Sequence, residues 1–80
     1  MRTKGAIRLR ILELCRENKL TVNGLSGKCG ITQSTLNNIV SGRNNSATVS
    51  TIQKVCDGLE MDLPDFFDSE LFRDLEQEIK

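Results

Sequence analysis

Residues 20–43 read LTVNGLSGKCGITQSTLNNIVSGR, and the fold turns on how this stretch divides. Thr21 suits a helix N-cap, because its hydroxyl can accept from the free amides of a first turn. Beyond it Val22, Leu25 and Cys29 put apolar side chains on one side of a short helix. Gly30 fits the left-handed position that closes such a helix, which leaves Ile31 to turn inward. Thr32 can cap a second helix, from about Gln33 to Val40, with Leu36, Ile39 and Val40 as its inner face. Ser41-Gly42 ends it. The stretch therefore predicts two short helices joined by a Gly-containing turn, a helix-turn-helix unit. Gly24 and Gly27 each cost up to about 1 kcal/mol relative to Ala inside a helix, so packing must hold the first helix together.

The outward face of the second helix is chemically distinctive. At about 100° per residue, Gln33, Ser34, Asn37, Asn38 and Ser41 fall together opposite the apolar stripe. All are amides or hydroxyls. Gln and Asn can bridge the N6 and N7 edge of adenine, and Ser and Thr can bond several bases. A merely solvated face would carry Lys and Glu for helix propensity and solubility, and this one has neither. The pattern favours a helix that reads bases in the major groove of double-stranded DNA. Next comes RNNS, a loop of turn formers in which Arg43, Asn44 and Asn45 can donate to phosphate oxygens.

Working outward, a first helix is predicted from a Thr3 cap to about Asn18. Ile7, Ile11, Leu14 and Cys15 form its buried stripe, with Arg8, Arg10, Glu13 and Glu17 facing outward. Leu9 and Leu12 widen the apolar surface, for a second contact or for burial against a terminal helix. A fourth helix follows a Thr48 cap, with Val49, Ile52, Val55, Cys56 and Leu59 as a core stripe. Met61 and Leu63 lead to Pro64, which suits the first turn of a short helix whose Phe66 and Phe67 close the core, either both or with one left exposed. Asp68 or Ser69 can cap a last amphipathic helix, with Leu71, Leu75 and Ile79 on one side and Phe72 adjacent. That helix either folds back or pairs with a second copy. The expected division is a DNA-binding domain over 1–68 and a C-terminal helix over 69–80.

Composition narrows the class. Eighty residues make one domain with a modest core, burying about 60% of the unfolded surface. Phe66, Phe67 and Phe72 are the only aromatics, so the core of the first sixty residues must be aliphatic. The net charge of zero hides an asymmetry: residues 1–45 hold eight basic and two acidic side chains, residues 46–80 three and nine. Such halves suit a molecule with one face toward a polyanion, or else are solvated surface that attracts itself.

Cys15, Cys29 and Cys56 form no CxxC and the chain has no His; buried core thiols are expected, with no metal and no disulfide framework. No His, no metal ligand set and no phosphate-cradling glycine loop argue against an enzyme and against a cofactor. Charges interrupt the early segment AIRLRILEL, which is not read as a secretory signal, and no apolar run approaches the ~20 residues of a membrane span. A cytoplasmic protein is expected.

With these residues laid out, the chain resembles the phage repressor and Cro-type helix-turn-helix (XRE) family over roughly Ile7 to Phe67. The likeness is carried by LTVNGLSGKCGITQSTLNNIVSGR and by TVSTIQKVCDGLEMDLPDFF, similar to the family's capped fourth helix and its exit into a fifth. It implies an all-α, five-helix lambda-repressor-like domain. It also implies base reading by Thr32, Gln33, Ser34 and Asn38, with Asn37 adjacent, and phosphate contacts from Thr21, Val22, Asn23, Arg43 and Asn44. Several positions depart from the family pattern. Val22 stands where Gln is common, Gly24 where a Glu completes a capping box, and Glu60 where a Gly follows the fourth helix. Cys15 and Val40 replace an Arg–Glu pair, an apolar swap that leaves no unpaired buried charge.

The expected function is a sequence-specific DNA-binding regulator acting as a homodimer, with no membrane and no small-molecule ligand. The alternative is an antitoxin-like or anti-repressor module that binds protein on the same fold, which the balanced charge favours because few cations are left for phosphates.

Overall fold

A computed structural model describes residues 2–42 and 47–77. Helix α1 (Thr3–Glu17) buries Ala6, Ile7, Ile11, Leu14 and Cys15, the expected stripe. Arg2 takes the N-cap position without a side-chain cap bond, and Thr3 is already helical, so the expected threonine cap is displaced by one residue. Helices α2 (Val22–Cys29), α3 (Gln33–Ser41), α4 (Val49–Gly58) and α5 (Leu63–Phe67) follow. The described residues form an all-helical fold with α2 packed against α3 and α4, α1 against α3, and α5 against α4.

Side-chain oxygens start four of these helices. Thr21 accepts from the Gly24 N–H at 2.9 Å, Thr32 from Thr35 at 3.2 Å, Thr48 from Thr51 at 3.1 Å and Asp62 from Asp65 at 3.0 Å. Each satisfies an amide that the helix itself cannot. Gly30 and Gly42, both with positive φ, close α2 and α3. Lys19 and Glu60 also adopt positive φ, 57° and 58°. At Glu60 the end of α4 therefore keeps a left-handed turn, although the side chain there is not Gly.

The core joins the α1 stripe to Leu25, Cys29, Ile31, Leu36, Ile39, Ile52, Val55, Cys56 and Phe66. Val49 departs from the expected α4 stripe: it is the first helical residue and is 66% exposed. Phe66 closes the core, whereas Phe67 stays partly exposed and meets Phe66 and Phe72 edge-on at 5.0 and 4.9 Å between ring centroids.

Arg10 corrects a further expectation. It is buried: its Nε donates to the Phe66 carbonyl at 2.7 Å, Nη2 to the Asp65 carbonyl at 2.9 Å, and Nη1 pairs with Glu13. These carbonyls belong to the last turn of α5, where a helix lacks internal donors and its dipole favours a cation.

The C-terminal segment also differs from expectation. In place of an amphipathic helix it forms a 3-10 turn, Glu70–Phe72, capped by Ser69, and residues 73–77 are non-helical. Phe72 packs on the core, and Leu71 shares a groove with Leu9, Leu12, Glu13 and Arg16 of α1. Glu76 reaches Arg2 at 3.7 Å, so the segment runs back along α1. A lone helix of about a dozen residues is marginal in water, and the single turn partly buries Leu71 and Phe72 against α1 and the core. Ile79 lies outside the described residues.

All three cysteines are free and buried. Burial pushes each thiol above its ordinary pKa, with Lys28 partly opposing this at Cys29. The folded state therefore holds thiol protons that the unfolded chain releases, so stability is fully present below the unfolded pKa of about 8.5 and falls as pH rises beyond it. Alkylation of the native protein should be slow and track unfolding; rapid labelling of all three thiols in the folded state would contradict this burial.

At the crossing of α2 and α4, a Cβ on Gly58 would lie 2.9 Å from the Cys29 Cα and also crowd its Sγ. Backbone cannot yield as a flexible side chain does. Gly58→Ala should cost about 1–3 kcal/mol, read as a lower denaturant midpoint, and an unchanged midpoint would show that the two helices separate freely.

Candidate nucleic-acid interface

The turn between α2 and α3 sets the geometry. The Ile31 N–H donates to the Ser26 carbonyl at 3.0 Å across the left-handed Gly30, and the Ile31 side chain enters the core. Ser26 is buried, with its hydroxyl donating to the Asn23 carbonyl at 2.8 Å. Leu36 and Ile39 then pin α3 to the core, and Val40 packs at its edge. Leu36 is fully buried, so the opposite side of α3 is turned outward.

That side carries Gln33, Ser34 and Asn37, all exposed, with Asn38 half-buried beside them and Ser41 exposed one turn on. Thr32 is exposed at the start, where its hydroxyl both caps the helix and bonds the Thr35 hydroxyl at 2.8 Å. The arrangement brings Thr32, Gln33, Ser34, Asn37 and Asn38 onto one short helix of nine residues, about 13 Å long. No charged side chain lies on α3. What this surface offers chemically is a set of amide and hydroxyl donors and acceptors, groups that can pair with base edges.

Thr21 and Asn23 are exposed at the start of α2. The Thr21 oxygen accepts from Gly24 and its proton remains available to donate. Val22 instead packs against the core, so of the three residues at this helix start only its neighbours have polar groups to offer. Arg43, Asn44 and Asn45 lie outside the described residues.

Arg8 is a feature that the sequence pattern did not single out. Its Nε donates to the Val40 carbonyl at 2.6 Å, joining α1 to the last turn of α3. An Arg on an otherwise amphipathic helix reads as solvated, and only the placement of α3 supplies its acceptor.

A profile of the Cro/C1-type helix-turn-helix DNA-binding domain matches residues 10–70. The fold is similar to that in "Crystal structure of the prophage Lp1 protein 11", at 33% identity and a TM-score of 0.80, covering 94% of this chain and all of that one. No curated protein matches the chain.

The cap at the head of α3 is testable without any ligand. Thr32→Ala should remove about 1 kcal/mol of stability and raise amide exchange at Thr35 ahead of the α4 core; equal protection at Thr35 in both proteins would mean that the hydroxyl is dispensable.

Proposed function

The chain belongs to the Cro/C1-type helix-turn-helix DNA-binding domain family, and from that membership we propose a sequence-specific transcriptional regulator that lays α3 in the major groove and binds a two-fold site as a homodimer. The observation that supports this reading best is the exposed, uncharged amide and hydroxyl face of α3. Thr32, Gln33, Ser34, Asn37 and Asn38 read base edges, with the amides of Gln33 and Asn38 suited to adenine. Thr21, Asn23, Arg43, Asn44 and Asn45 contact phosphates on either side and set the register without reading sequence. The protein carries out no chemistry on the DNA; its effect is occupancy of a site.

Affinity in this arrangement comes from few cations, because each neutralised phosphate contributes through counterion release. One copy on one half-site is then a weak complex. Two copies spanning half-sites about 34 Å apart gain both contributions at once. Among the described residues no helix is long and apolar enough to cross a membrane.

Selection from a random duplex pool tests the proposal directly. The expected product is a two-fold motif with half-site centres one helical turn apart, and sedimentation should give a dimer on it. Gln33→Ala and Asn38→Ala should each lose about 1–3 kcal/mol of discrimination at particular base pairs. Arg43→Ala should weaken all duplexes alike and flatten the salt dependence. A motif without two-fold symmetry would remove the dimer, and no enriched motif at any salt concentration would favour a module that binds protein.

A further inference from the structure

We propose that Arg8 is a positioning residue for base reading, a proposal that rests on the DNA-binding reading above. Buried Leu36 and Ile39 hold α3 on the core, but apolar contact is non-directional and does little to resist a roll of the helix about its own axis. The head of α3 is oriented by the Gly30 turn and the Thr32 cap. At its other end the Arg8 Nε donates to the Val40 carbonyl at 2.6 Å from a neighbouring helix. This bond is directional, charged, and made to a carbonyl in the helix's last turn, where the dipole favours a cation.

The magnitude explains why such a bond matters to reading. Side-chain tips on a helix lie about 5–6 Å from its axis, so a roll of about 10° moves them by ~1 Å. That shift takes a hydrogen bond from its usual ~2.9 Å to beyond its working range. Asn37 and Asn38 stand within a turn of Val40, so their placement depends most on the clamp. Arg8 itself touches no base in this scheme; it acts through the backbone of α3.

The experiment uses the full chain as wild type, Arg8→Met and Arg8→Lys. Amide exchange is measured in the last turn of α3 and in α4, and binding is measured across a salt series to a selected duplex and its scrambled counterpart. Arg8→Met should speed exchange in the last turn of α3 about tenfold while α4 stays protected. It should reduce the preference for the selected duplex by about tenfold, with the salt slope unchanged, and Arg8→Lys should restore part of that preference. Unchanged preference in Arg8→Met would overturn the proposal. So would a salt slope lowered by about one at constant preference, which would make Arg8 a phosphate contact, or exchange that rises equally in α3 and α4, which would make it a general stability residue. A wild type with no preference at all defeats the DNA reading itself, and in that case the exchange data still report separately whether Arg8 clamps α3.

Discussion

Arg10 lies within α1 with its guanidinium almost wholly withdrawn from water, and a buried cation is tolerable only when its donors find acceptors. They find the Phe66 and Asp65 carbonyls and the Glu13 carboxylate. Meeting that demand fixes where α5 must end. Once its last turn is held there, Phe66 is driven fully into the core and lies 6.0 Å below the same guanidinium, close enough for a cation–π contribution. Phe67 then meets it edge-on, and Phe72 lies tilted beside it at 6.2 Å between ring centroids. Arg8 applies the same chemistry to α3, two residues earlier on α1. The first helix is thus a spine from which two cations hold the C-terminal ends of two other helices.

The opposite ends are handled by hydroxyls and carboxylates, and the middle by a small aliphatic core. Cys29 packs against Gly58 where α2 meets α4, and its thiol reaches the Val55 carbonyl at 3.7 Å. A larger residue at either position would push the two helices apart and, through the Gly30 turn, redirect α3. The polar face of α3 is therefore defined by residues that never touch it, and its own side chains are left free of any packing duty except at Asn38.

Much of this was legible in the sequence because it is local. Threonine caps, closing glycines and apolar spacing of three and four each depend on a handful of neighbours; threonines open α2, α3 and α4, and glycines close α2 and α3. What was not legible depends on distant partners. Arg10 lies on the side of α1 that a charge pattern assigns to water, and its acceptors are about 55 residues further along the chain. Val49 continues the α4 periodicity but begins the helix, where it stays exposed. The terminal segment has a helical pattern, yet Leu71 and Phe72 dock through a single 3-10 turn. Among the site residues, the exposure of Gln33, Ser34 and Asn37 follows from the buried stripe opposite them, whereas the bond that orients their helix does not.

Lys19 and Glu60 carry a further implication. Both hold a left-handed backbone that side chains with a Cβ adopt at about 1–2 kcal/mol, one just after α1 and the other just after α4. Neither turn is on the outer face of α3. The protein thus tolerates two local strains that a glycine would relieve, at Glu60 without removing a cation and at Lys19 with the loss of a cation two residues before Thr21. In evolutionary terms these are reserves of robustness. A lineage that replaced Glu60 by glycine would gain tolerance for otherwise destabilising changes on α3, and so could explore new target sequences without first rebuilding its core.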